Sequence, residues 1–333
     1  MDHDSKGTIN TAEQFSLSRI ATLSTLFVET DVGKQLVAAG ASLVVVGSLG
    51  RLESLLCSDV DLVTIYPDDR SLEQIQPLDR AARDFVRTRI GVEVSKGENF
   101  TGPTRLKDIA DQSMIGGTND NVNALTKRVG ILTEARVILN PDFSLEFSRE
   151  LMGAYLATAE VRRRYFVSIA DEIVRYYRTL CVDYKSRVDG ENKPWAIRYL
   201  KLRCSRKYWF FSLMLGMTGI LVESEPRENQ AIEKLAALLA QSPTQRIVDA
   251  LAAAALPRSS AIFAYYGNFL KGMSEHQVRT QIENLDYANR HAHEEFVRMK
   301  AHADRLHRSM LEIIESLPAA WRRHLFSRFL LHS

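Results

Sequence analysis

The sequence has few of the features that mark secreted, zinc-binding or membrane proteins. Its three cysteines, Cys57, Cys181 and Cys204, are odd in number and widely spaced, which fits neither a disulfide framework nor a zinc site. The longest charge-free apolar run, residues 208–222, is shorter than the roughly 20 residues that span a bilayer. Residues 1–10 do not resemble a signal peptide. We therefore expect a cytoplasmic protein with no membrane partner, and we expect residues 208–222 to form a buried helix.

An excess of one charge is also missing. The chain has 43 lysines and arginines against 41 aspartates and glutamates, a net charge of +2, which gives no reason to expect an extended nucleic-acid surface. A content of 45% hydrophobic and 25% charged residues is ordinary for a globular protein, and 333 residues exceed one usual core. Composition therefore favours a folded enzyme of two domains.

A buried strand followed by a turn of small residues is the first feature with chemical content. Residues 43–46 are apolar and mostly β-branched, so they predict a strand that ends at Gly47 and Ser48. Glycine lets backbone N–H groups approach an anion, and a helix that begins near Leu49 would add its own N–H groups. The turn therefore predicts a binding site for phosphate groups.

Two carboxylates follow in alternation, because Asp59 and Asp61 flank Val60. In a strand, such side chains project to the same face while Val60 turns to the core. Carboxylates this close repel each other unless a cation lies between them, and Mg²⁺ takes oxygen ligands together with substrate phosphates. The alternative is a surface turn and an edge strand with solvated aspartates. The combination of strand, Gly-Ser turn and paired aspartates favours the metal site.

This combination resembles the signature of the DNA polymerase β-like nucleotidyltransferase superfamily, in which Gly-Ser is followed after about ten residues by Asp-x-Asp. The form Gly-Ser-x-Gly-Arg-x-Glu…Ser-Asp-x-Asp-Leu is most similar to the GlnD-like branch, which includes the enzyme that uridylylates the PII nitrogen-signalling protein. The likeness covers roughly residues 35–140. Residues 90–94 resemble the strand with the third carboxylate, and residues 132–136 resemble a helix that closes the catalytic domain. No His-Asp pair of a phosphohydrolase domain follows residue 150, so the resemblance is to a stand-alone form without phosphohydrolase and ligand-sensing domains.

The resemblance implies a role for individual residues. Asp59 and Asp61 would be metal ligands, and Glu93 would be a third acid, either a ligand or the base that faces the nucleophile. For Glu93, a solvent-facing side chain with no role stays open, since isolated glutamates in strands often face water. The residues assigned to the nucleotide in this segment are Gly47, Ser48 and Arg51.

The implied reaction is transfer of a nucleoside monophosphate from a nucleoside triphosphate, such as ATP, to a hydroxyl or phosphate group, with release of pyrophosphate. The implied cofactor is Mg²⁺ or Mn²⁺, as two ions, and the acceptor is a protein or a small molecule. Two alternatives stay open: an oligonucleotide or cyclic-nucleotide synthase, and a non-catalytic nucleotide-binding regulatory module. Intact Gly-Ser and Asp-x-Asp pairs argue against the second alternative.

The residue pattern changes after about residue 145, from one typical of strands to one typical of helices. We therefore predict an α/β N-terminal nucleotidyltransferase domain, with a mixed sheet and flanking helices, followed by an all-α helical bundle. The predicted boundaries are a flexible tail over residues 1–10, a catalytic domain over 11–145, and a helical domain over 146–333 that closes the cleft. We expect strands at 60–66 and 91–94.

Two stretches of the second domain have distinctive patterns. Residues 278–317 carry apolar side chains at alternating steps of four and three, which predicts one long helix. That helix is either a brace across its own domain or the seam of a homodimer. In the basic segment 195–211, Arg198, Lys201 and Ser205 share one face of a predicted helix, and we assign them to nucleotide binding. The alternative is that the basic side chains extend to water or pair with acids.

Overall fold

A computed structural model of the protein describes residues 3–94, 102–111, 113–117, 120–157, 165–191, 194–222, 228–257 and 259–330. The chain forms two compact units. The sheet unit comprises Glu13–Ser54 and Ser58–Glu172, and the helical unit comprises Met1–Ala12, Leu55–Cys57 and Ile173–Ser333.

A small mixed sheet forms the centre of the sheet unit. Within the described residues its strands are β1 (Ser42–Val46), β2 (Asp61–Tyr66), β3 (Thr104–Arg105) and β4 (Arg136–Leu139). Their order is β3-β2-β1-β4; β1 is antiparallel to both β2 and β4, and β2 is parallel to β3. Every residue of β1 is buried, which is why its sequence is a continuous apolar run instead of an alternating one. The predicted mixed sheet is confirmed.

Helices surround this sheet, and the first of them begins earlier than expected. Residues 3–10, which we predicted as a flexible tail, belong to a helix, because Ile9 and Ala12 are each only 3% exposed in the core of the helical unit. The helices up to residue 157 are α1 (His3–Glu29), α2 (Asp31–Ala38), α3 (Gly47–Gly50), α4 (Leu72–Phe85), α5 (Leu106–Ala110), α6 (Val122–Glu134) and α7 (Pro141–Ala157).

The segment after α4 differs from its predicted strand. Residues 86–90 continue as a π-helical turn, and Gly91 ends it with a φ of +67°. Among residues 91–94, only Val94 forms an isolated parallel bridge, to Val60. The expected strand at 91–94 is therefore reduced to one bridge, and residues 95–101 lie outside the described part of the chain.

A buried network ties the end of the sheet unit to α6. The guanidinium of Arg128 donates to Asp120 at 2.7 Å, to Glu172 at 2.5 Å and to the hydroxyl of Tyr155 at 3.1 Å. This network lies inside the sheet unit, so the unit extends to Glu172, whereas the sequence placed a domain boundary after residue 145.

The described elements beyond residue 165 are helical. They are α8 (Tyr165–Glu191), α9 (Trp195–Lys201), α10 (Lys207–Val222), α11 (Glu228–Ala240), α12 (Pro243–Ala253), α13 (Ser260–Ser274), α14 (His276–Glu283), α15 (Glu294–Ser316) and α16 (Ala319–Leu325). Helix α10 matches the buried helix predicted for residues 208–222. None of the described helices combines the length and apolarity that crossing a membrane requires.

The apolar stripe over residues 278–317 forms two helices instead of the predicted single one. Between α14 and α15, the carboxylate of Asp286 accepts from the N–H of Ala288 at 3.1 Å, and Nδ1 of His293 accepts from the N–H of Phe296 at 3.3 Å. Such side-chain caps compete with a continuous helix and start new turns. The stripes of both helices are buried in the core of the helical unit, as Ile282 and Met299 show.

Candidate active site

The turn after β1 lies directly beside the first residue of β2. Val46, the last residue of β1, is paired with Asp61 in the antiparallel register. Gly47 follows with a φ of +68°, and a Cβ at this position would collide with Oδ2 of Asp61. Only glycine fits both the backbone conformation and the approach of the carboxylate. The structure therefore brings together the predicted phosphate turn and one of the predicted metal ligands.

The second aspartate and Glu93 lie at the same end of β2. The N–H of Val60 donates to the carbonyl of Glu93 at 2.9 Å, and the side chains of Val60 and Val94 are buried. Asp61 begins β2, Asp59 lies two residues before it, and Glu93 directly precedes Val94, so the three carboxylates come from neighbouring positions at this end of the sheet. Asp59 and Glu93 are exposed and Asp61 is half-buried.

A metal fits part of this arrangement. In the part of the chain that the structure describes, no group of three or more His, Cys, Asp or Glu side chains is positioned to hold a metal ion. Mg²⁺ is commonly bound by one or two carboxylates plus substrate phosphates, so it does not need a complete set of protein ligands. Asp59 and Asp61, two residues apart at the start of β2, provide two hard oxygen donors, which suits such an ion.

Arg51 holds the turn from inside the protein. Its Nε and Nη2 donate to Oε1 of Glu53 at 2.8 and 2.5 Å, and its Nη1 donates to Oε2 of Glu134 at 2.5 Å. The arginine is only 5% exposed and the two glutamates are similarly buried, so the guanidinium is paired with both carboxylates inside the protein. The predicted contact of Arg51 with a nucleotide finds no support in this geometry, which gives the residue a structural role.

Glu134 also accepts a hydrogen bond from the first backbone N–H of the turn. Its Oε2 accepts from the N–H of Gly47 at 3.1 Å, in addition to the bond from Arg51. An anion that binds this turn must therefore use other donors than the Gly47 amide. Ser48 is half-buried, and it is the residue of the predicted pair that stays suited to a phosphate contact.

The remaining residues of the motif pack against the end of α6 and the start of β4. A Cβ on Gly50 would collide with the carbonyl oxygen of Glu134, so a side chain is excluded there. Nε of Arg136 donates to the carbonyl of Gly50 at 3.2 Å, and burial lowers the pKa of this guanidinium. Sequence reasoning missed the roles of Glu53, Glu134 and Arg136. The sequence did indicate that residues 132–136 resemble a helix that closes the catalytic domain. It gave no role to the charged side chains of that segment.

The three residues predicted on the basic segment lie in the helical unit. Arg198 is half-buried and Lys201 is exposed, both on α9, whereas Ser205 is only 6% exposed. The face that they were predicted to share assumes a regular α-helix, but residues 202–206 form a π-helical turn, which changes the angular step. Their assignment to a nucleotide stays a prediction, and burial argues against it for Ser205.

Compared with models of protein families and with curated proteins, the chain matches none. The class of the protein is therefore argued from the site itself.

The charge on Glu134 should stabilise the fold. We expect Glu134→Gln to lower the free energy of unfolding by about 1.5–3 kcal/mol, the range for hydrogen bonds to charged groups, because the bonds that Arg51 and the Gly47 N–H donate would then meet a neutral amide. Urea unfolding followed by circular dichroism measures this difference. Glu315→Gln, at an exposed position of α15, is the matched control and should stay within about 0.5 kcal/mol of the original. Equal effects of the two substitutions would contradict the structural role of the buried pair.

Two effects would destabilise a side chain at position 47: the collision with Asp61 and the strain of a positive φ. A second glycine allows them to be measured separately. Gly91 has the same conformation, with a φ of +67°, but nothing lies within 4 Å of a Cβ added there. We expect Gly91→Ala to cost about 1–2 kcal/mol, the usual penalty of a left-handed conformation. Gly47→Ala should cost clearly more, because the added methyl also displaces the Asp61 carboxylate. Thermal unfolding of both variants tests this, and an equal loss of stability would show that Asp61 does not approach Gly47.

Proposed function

We propose that the protein is a metal-dependent nucleotidyltransferase of the DNA polymerase β-like class. The observation that carries this proposal is the contact between Gly47 and Asp61, with Asp59 two residues before Asp61 in the chain. The turn and the Asp61 carboxylate meet at one end of the sheet, and Ser48 and Asp59 lie beside them in the sequence. Metal-assisted phosphoryl chemistry needs this combination, since the charge of a triphosphate must be both bound and neutralised.

Each residue has a part in the proposed reaction. Asp59 and Asp61 would hold Mg²⁺ or Mn²⁺, which would neutralise the charge of the nucleotide's phosphates. Ser48 would donate a hydrogen bond to a phosphate oxygen. Glu93 would either complete the metal ligands or accept the proton of the attacking hydroxyl. Arg51 would act only by holding the turn in place, through Glu53 and Glu134.

The proposed reaction needs only the nucleotide and the acceptor. An oxygen of the acceptor forms a bond to the α-phosphorus of the nucleotide, and the bond between the α-phosphorus and its bridging oxygen breaks. Pyrophosphate leaves with the electron pair, and the acceptor proton passes to a base. The acceptor is proposed to be a hydroxyl or phosphate group of a protein or small molecule.

The two proposed metal ligands provide the test of function. With an α-labelled nucleoside triphosphate, Mg²⁺ or Mn²⁺ and extract of the host cell, we expect label to move to a new product. Asp61→Asn should reduce this transfer by at least about a hundredfold. One negatively charged ligand of the metal is lost, and several kcal/mol of transition-state stabilisation are lost with it. Chromatography and gel analysis of the products would distinguish a labelled protein from a labelled small molecule.

The matched control is Asp69→Asn, whose carboxylate is 75% exposed in the turn after β2. It should transfer label at the original rate. Circular dichroism should show that both variants are folded. Equal transfer by the original protein and by folded Asp61→Asn would rule out the proposed role of this carboxylate.

A further inference from the structure

The helical unit contains a large pocket that has no part in the proposed reaction. Its volume is about 830 Å³, and its lining comes from α8, α9, α15 and the 3₁₀ turn Tyr287–Asn289. Pockets of about 300–1,000 Å³ are the usual size for small-molecule sites. All of its lining residues belong to the helical unit, so the pocket is a property of that unit alone.

The walls of this aromatic pocket are flat rings held in fixed positions. The centre of the Trp195 ring lies 5.0 Å from the centres of the Tyr287 and Phe296 rings, in edge-to-face arrangements. The indole N–H of Trp195 donates to the carbonyl of Leu285 at 2.8 Å, which fixes the ring. Tyr287 is 58% exposed, an unusual degree for a large aromatic side chain beside a pocket. Rigid, partly uncovered rings are suited to stacking with a planar ligand.

Positive charge surrounds these rings. The guanidinium of Arg290 lies 4.0 Å from the centre of the Tyr287 ring, and Nζ of Lys300 contributes a second cation. Asp304 also lines the pocket, but it already pairs with Arg203 at 2.6 Å and with Lys300 at 3.0 Å. Two of the lining residues, Arg290 and Lys300, are cations and one, Asp304, is a carboxylate, so the lining carries a net positive charge that favours an anion over a cation.

The chemistry of the rings and charges defines the ligand class. An apolar ligand would make no use of the net positive charge of the lining, and inorganic phosphate would leave the rings uncovered. We infer that the aromatic pocket binds a nucleoside phosphate, with the base against Trp195 and Tyr287 and the phosphate at Arg290 and Lys300. The two cations lie on different elements, which suits a phosphate that is approached from two sides. This inference does not depend on the proposed transfer reaction.

Binding can be measured on the full chain without a divalent metal. Isothermal titration calorimetry with AMP in the presence of EDTA should show saturable binding, and adenosine and ribose 5-phosphate should each bind at least about tenfold more weakly, a difference of about 1.4 kcal/mol. AMP should also quench tryptophan fluorescence. Of the three tryptophans, Trp209 and Trp321 are buried, at 0% and 3% exposed, so the quenching should vanish in Trp195→Phe.

Substitutions assign the binding to this pocket. Lys300→Ala should weaken AMP binding by at least about tenfold, while Asp304 keeps Arg203 as its partner. Arg308→Ala, at an exposed position of the same helix, is the matched control and should bind as the original does. Asp61→Asn should also bind AMP normally, so a failure of the transfer reaction would leave this result intact. Absence of saturable AMP binding, or equal affinity in Lys300→Ala and Arg308→Ala, would overturn the inference.

Discussion

The ion pairs that Arg51 forms with Glu53 and Glu134 are the interaction on which the candidate site depends. They connect the turn after β1 to the last residue of α6, and Glu134 also binds the first amide of that turn. Because all three side chains are buried, loss of the arginine would remove the cation that both carboxylates share in a low-dielectric environment. The turn is therefore held by the interior of the unit, and its geometry does not rely on a ligand.

Once the turn is fixed, the pairing of β1 with β2 determines where the Asp61 carboxylate lies. The antiparallel register puts Asp61 opposite Val46, and Asp59 lies two residues before it. Gly47 has no side chain to keep Asp61 away. The close approach of a carboxylate to this turn is the feature that the proposed cation and triphosphate would use. The proposed function follows from this geometry, and the aromatic pocket adds a separate binding capacity to the helical unit.

Short-range patterns predicted the parts of the structure that depend on neighbouring residues. The apolar run 43–46 and the Gly-Ser pair located β1 and its turn, because strand burial and turn chemistry are local. The partners of Arg51 were not predictable in this way, since Glu134 lies 83 residues away. The break between α14 and α15 was missed because Asp286 and His293 cap new turns inside a regular apolar stripe. The π-helical turn at 202–206 likewise changes the face of Ser205 without a signal in apolar spacing.

The most direct test of the central claim is the binding of Mn²⁺ together with a non-hydrolysable nucleoside triphosphate, followed by electron paramagnetic resonance. Bound Mn²⁺ should disappear from the free-ion signal in the original protein, and Asp59→Asn should weaken this binding by at least about tenfold. The experiment needs no acceptor, so it tests the site independently of the unknown acceptor. Retention of full Mn²⁺ and nucleotide binding in folded Asp59→Asn would contradict the assignment of these carboxylates as the metal site.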